Sequence, residues 1–185
     1  MKHVFYSFIA IVVALIGFTA CQSTKDQVVG SWRYSKSMTT TDGAEVVYDG
    51  VDTNNADGTF TSTANISCSQ ETEIDGTKVR MKVMINYKSS GEWKVNGEKE
   101  IVSSPSTADV KVTSVKYFDP SDDSFLGELT GSDLDEYSKA FAKELQSNLL
   151  EASTERIIML QDNKYVTEST DDDGKKETIT YNRLN

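Results

Sequence analysis

The sequence predicts an all-β domain interrupted by one helix, and three observations carry that expectation. Asx-Gly pairs recur at Asp42-Gly43, Asp57-Gly58, Asp75-Gly76, Asn96-Gly97 and Asp173-Gly174, and such dipeptides tolerate the positive φ that tight hairpins need. Between them, apolar and polar residues alternate with the period of a half-buried strand. A single segment, GSDLDEYSKAFAKELQSNLLEAS, switches to helical spacing.

The first residues precede that domain. Lys2, an apolar run from Val4 to Phe18, the small residues Thr19 and Ala20, and then Cys21 have the layout of a secretory signal over residues 1–20. The run is short for a membrane span, which needs roughly 20 predominantly apolar residues. Phe18-Thr19-Ala20-Cys21 resembles the lipobox of bacterial lipoproteins. That resemblance implies a diacylated Cys21, palmitate-type anchoring in a membrane, and residues 21–27 as lipidated N-terminus and tether. It also implies a bacterial cell-envelope location. Gln22 after the cysteine favours the outer membrane, with periplasmic and surface-exposed orientations both open.

Residues 28–185 make one domain's worth of chain. The net charge is −10 and the basic residues are scattered, so nucleic acid and anionic head groups are poor partners. With Cys21 acylated, Cys68 has no intramolecular disulfide partner and reads as a small core hydrophobe. The single histidine, His3, lies in the signal. The mature chain therefore lacks a Ser-His or Cys-His pair and a His-containing zinc site. TDDDGKK reads as a hairpin turn rather than a calcium loop, so no metal and no cofactor are expected. The chain reads as a non-enzyme, with carboxylate-only hydrolysis the one catalytic class that its many acids leave open.

Asp75-Gly76 marks the clearest hairpin. Val79, Met81, Val83, Ile85 and Tyr87 alternate with polar residues on one side, and Phe60, Ala64, Ile66 and Cys68 do so on the other. A two-residue turn places Cys68 opposite Val83, Ile66 opposite Ile85 and Ala64 opposite Tyr87, so turn chemistry and hydrophobic phase agree on one register. At Asn96-Gly97 a two-residue loop sets Trp93 against Glu100, whereas a three-residue loop, Asn96 to Glu98, sets it against Ile101.

Further strands are expected at ADVKVTSVKYF, ERIIMLQ, KYVTEST and ETITYNRL. In the first, Val110 and Val112 lie in one phase and Val115 and Tyr117 in the other, which predicts a bulge near Ser114. The helix is expected over residues 132–152, capped by Ser132 or Asp133. Its stripe of Leu134, Tyr137, Phe141, Leu145 and Leu149 packs on the sheet or docks a protein partner.

Gly30-Ser31-Trp32, Asp57-Gly58-Thr59-Phe60 and Gly91-Glu92-Trp93-Lys94-Val95-Asn96-Gly97 together resemble the lipocalin-like domains of Bacteroidota-type envelope lipoproteins. The resemblance implies a small antiparallel up-and-down, calycin-like β-barrel of about 8–10 strands. In that family the first-strand Trp, here Trp32, closes the narrow end under a basic residue of a late strand, here Arg183. It further implies non-catalytic binding of a small, partly apolar ligand, with Phe60, Met81, Val83, Ile85, Tyr87 and Trp93 as lining. The alternative is a filled barrel serving as an envelope structural or protein-interaction module.

Overall fold

Hairpin after hairpin, the chain builds one antiparallel sheet. The computed structural model describes residues 23–40, 43–170, 174 and 176–184, without the side chains of 145–148. The signal, Cys21, and the turn residues Asp42 and Asp173 lie outside the described residues. The elements are α1 (Thr24–Val28), β1 (Gly30–Thr39), β2 (Glu45–Asn54), β3 (Thr59–Ile74), β4 (Thr77–Asn96) and β5 (Glu100–Phe118). They continue with β6 (Phe125–Glu128), α2 (Gly131–Leu149), β7 (Ser153–Gln161), β8 (Lys164–Thr170) and β9 (Lys176–Arg183).

The β3–β4 hairpin has the register that its turn chemistry predicts: Cys68 faces Val83, Ile66 faces Ile85 and Ala64 faces Tyr87. Asp75 and Gly76 take φ of 50° and 79°, the doubly positive pair that a two-residue type I′ turn requires. The next loop has the expected length of three but sits one residue later. Asn96 pairs with Glu100 and Val95 with Ile101, so Trp93 faces Ser103. Either register leaves Trp93 and Ile101 on the same face, so alternation alone does not separate them.

The bulge near Ser114 is present. Met84 pairs with Ser114 and Ile85 with Val112, leaving Thr113 as the extra residue. It rotates the strand so that Val112 and Val115, from opposite phases, are both fully buried on one face. The Val112 amide beside the bulge donates to Ser138 Oγ of α2 at 3.0 Å.

The expected up-and-down, calycin-like β-barrel of about 8–10 strands with one inserted helix is corrected to a nine-stranded sheet, not a true barrel, with two helices among the described residues. Strand order is β4-β3-β2-β1-β9-β8-β7-β5-β6 with a further β4–β5 pairing, so hydrogen bonding returns on itself, but through very uneven seams. β1 pairs with β2 from Gly30 to Thr39 and with β9 only from Trp32 to Tyr34. β5 follows β4 for nearly its whole length and meets β7 only from Glu100 to Ser103. Two short seams thus join a long β1–β5 sheet to a small β7–β9 sheet, and the upper parts of β3, β4 and β5 run on as an open layer carrying β6 and α2. At the β5–β7 seam unequal strand length is the physical reason: a strand of 19 residues cannot stay paired along its length with a neighbour of 9.

The expected tether is also partly structured. Ser23 caps α1 in a capping box with Asp26, and Thr24 Oγ1 donates to the Glu98 carbonyl at 3.0 Å. Among the described residues no helix is long and apolar enough to cross a membrane. With the signal and Cys21 outside them, these residues lend the lipoprotein and outer-membrane readings no support.

The inner face of β4 shows where the cores lie. Its same-face residues run Val83, Ile85, Tyr87, Ser89, Gly91 and Trp93. Trp93 belongs to a lower core with Val28, Trp32, Phe60, Ile101, Ile157, Tyr165 and Tyr181. Val83 and Ile85 belong to an upper core with Val112 and Val115, roofed by Leu134, Tyr137 and Phe141 of α2. Tyr87 and Ser89 lie between the two.

Candidate functional site: a polar cavity between two cores

That intermediate tier lines a partly open cavity of about 250 Å³. Period-two geometry delivers its walls strand by strand: Tyr34 and Lys36 from β1, Tyr48 and Asp52 from β2, Ser62 from β3. Tyr87 and Ser89 come from β4, Glu155 from β7 and Tyr181 from β9. The expectation of a small, partly apolar ligand held in a lipocalin-like barrel is corrected here, because the sheet is not a true barrel and the walls set carboxylates, hydroxyls and phenol rings beside the apolar Phe60, Pro105 and Ile179. Tyr34 lies across β2 at its directly paired residue, Gly50. A Cβ there would come within 2.6 Å of the phenol, so only glycine lets the ring lie flat.

Asp52 sits opposite Trp32 on one side and Ser62 on the other. Burial pushes its carboxyl up to about 6; the Ser62 hydroxyl draws it down and the negative charge of Glu155 adds to the rise. Glu155 accepts from the Tyr181 hydroxyl at 3.3 and 3.4 Å. Burial also raises the Tyr34 phenol, with the Asp52 charge second among the causes raising it, and Tyr181 is raised well above its ordinary value by burial and then by Glu155. Lys36 is held in an ion pair by Glu177.

Two buried atoms in these walls, Asp52 Oδ1 and Ser89 Oγ, have no hydrogen-bond partner in the protein. Ser89 is 6% exposed. Buried polar atoms are nearly always satisfied by protein, water or ligand, and leaving one unmade costs roughly 1–3 kcal/mol.

The sequence-derived lining residues divide among the tiers. Phe60 and Tyr87 line the cavity. Met81, Val83 and Ile85 lie in the upper core beneath α2, Cys68 packs there too, and Trp93 is in the lower core. Arg183 stands 4.4 Å over the Trp32 ring and donates from Nη2 to the Gln27 carbonyl at 2.7 Å. The Trp32 indole donates to the Val28 carbonyl, also at 2.7 Å, so the pair seals the floor of the lower core. It takes no part in the cavity wall.

Sequence reasoning missed Tyr34, Asp52, Ser89, Glu155 and Tyr181. One signal was available: in EVVYDGVDTN the phase that begins with Val46 and Tyr48 continues through Gly50, Asp52 and Asn54. An inward phase that turns polar marks a wet interior. Apolar scoring favours the other phase, through Val47 and Val51, and hides it.

Among the described residues no group of three or more His, Cys, Asp or Glu is placed to hold a metal ion. The arrangement offers acceptors to a ligand's donors, and its two carboxylates, Asp52 and Glu155, line one partly open pocket. No protein-family model matches the chain, and no curated protein matches it either. The lipocalin-like resemblance therefore rests on its three short motifs alone.

Proposed function

We propose that the chain is a binding module whose site is this cavity and whose ligand is small, polar and rich in hydrogen-bond donors. The observation that carries the reading is a pair of unsatisfied polar atoms in one pocket wall, the acceptor Asp52 Oδ1 and the Ser89 hydroxyl, which can accept or donate. A folded protein tolerates such atoms where a water or ligand completes them. Native mass spectrometry of the full chain tests the reading. A small polar adduct is expected on the wild type and is expected to be lost in Ser89→Ala; a chain that never carries one, under any screen of polyols and amines, would sink the reading.

A second reading follows from the shared space of Asp52 and Glu155. A carboxyl lifted toward neutrality beside a second carboxylate is the pairing used in acid-catalysed glycoside hydrolysis. Turnover of chromogenic glycosides that disappears in Glu155→Gln would favour it over plain binding. Membrane attachment through an acylated Cys21 at a bacterial envelope belongs to the same proposal, motivated by the lipobox-like end of the leader. Cys21→Ser is expected to abolish labelling by radioactive palmitate, and persistent labelling would refute the attachment.

A further inference from the structure

We infer that the ligand of the polar cavity is a compact organic cation, bound through a primary ammonium group that Asp52 Oδ1 receives while Glu155 lines the same space. This rests on the binding reading above and narrows it from any donor-rich molecule to one charge and one head group.

Charge comes first. The cavity walls bring Asp52 and Glu155 together, and Lys36, the one basic residue among the described lining residues, is already paired with Glu177. The site is therefore net negative, and an anion would enter against both carboxylates. A neutral diol would satisfy Asp52 Oδ1 as a hydrogen-bond acceptor but leave its buried charge uncompensated. A cation removes both penalties at once.

Head-group shape comes second. A guanidinium is a rigid planar fork that prefers both oxygens of one carboxylate. Here Asp52 offers one free oxygen, and the second unsatisfied atom, the Ser89 hydroxyl, which can accept through its lone pairs, comes from a different strand. Separate single acceptors suit an ammonium, whose three donors radiate from one atom. Phenol rings from β1, β4 and β9 face the same space, and aromatic faces attract cations. A metal ion is the poorer fit: calcium takes six to eight oxygen ligands, and the described residues supply no cluster of three metal-ligating acids, histidines or cysteines.

Size comes third. A cavity of about 250 Å³ lies just below the roughly 300–1,000 Å³ range of small-molecule sites. It fits a short alkyl amine or the terminal amine of a longer chain.

Paired thermal melts and titration calorimetry of the full chain at pH 7.5 provide the test, with 1,4-diaminobutane and its uncharged isostere 1,4-butanediol as probes. The diamine is expected to raise the melting temperature by several degrees at saturation and to bind at least tenfold more tightly than the diol. Asp52→Asn is expected to weaken the diamine at least tenfold and leave the diol within about twofold. If Asp52→Asn fails to fold, judged by tryptophan fluorescence, Glu155→Gln carries the same test. Equal binding of diol and diamine would overturn the cation while leaving the polar-ligand reading intact. Binding of neither would overturn both.

Discussion

The two apolar cores of this chain are built in opposite ways. The lower core gathers one residue each from α1, β1, β3, β4, β5, β7, β8 and β9, so Trp32 packs edge-on against Tyr165 at 4.7 Å across most of the sequence. The upper core takes its buried residues from β4 and β5, its roof from α2 and flanking contacts from Ile66 and Cys68 of β3, so it spans residues 66 to 141. Closing long loops costs entropy before any contact repays it, so the lower core forms only when the distant β7–β9 segment arrives. The upper core is largely local. Both tryptophans are in the lower core, so their fluorescence reports on that region, and far-UV ellipticity adds the helix of the upper one.

Removing the Trp32 side chain should do the most damage. Trp32→Ala deletes a fully buried indole, its hydrogen bond to Val28 and the perch of Arg183, and a large aromatic truncation of this kind costs about 3–5 kcal/mol. That is a large share of a typical domain's stability, so urea titration should show a collapsed midpoint in fluorescence and ellipticity together. A loss below about 1 kcal/mol would mean that the short β1–β9 seam is not what joins the two sheets.

Ile85→Ala in the upper core should cost somewhat less, about 2–4 kcal/mol, and should do so unevenly. The ellipticity transition is expected to move to lower urea, while the fluorescence transition stays near its wild-type midpoint. Coincident shifts would show the two cores to be one cooperative unit.

The tier between the cores gives an effect of opposite sign. Asp52 titrates at about 6 in the folded chain against about 3.9 in an unfolded one, so between those values the native state holds more protons. Its contribution to stability is full below about pH 4 and is lost as pH rises through about 6. In the ligand-free protein, Asp52→Asn should therefore be more stable than wild type by roughly 3 kcal/mol at pH 7.5 and nearly equal to it at pH 4. Thermal melts at the two pH values check this, and a variant less stable at pH 7.5 would refute the burial of an uncompensated charge.

Legibility followed the same division. The β3–β4 register, the bulge at Thr113 and the Leu134–Tyr137–Phe141 stripe were readable, because turn residues and alternation act over a few positions. The helix begins and ends close to the expected 132–152, over Gly131–Leu149. The slip of the Gly97 loop was not readable, since both registers keep the same faces. The cavity was readable only in part: Phe60 and Tyr87 stand in clean alternating strands, whereas Asp52 and Glu155 look like solvent-side acids until the facing strands enclose them.

By itself the sequence determined the antiparallel strands, their tight turns and one long amphipathic helix, since each follows from the chemistry of neighbouring residues. Only the tertiary structure decided that the sheet meets itself through two short seams, and that polar residues of seven strands converge between two cores. Side-chain alternation specifies which residues share a face. Strand length and the docking of distant segments specify what that face encloses.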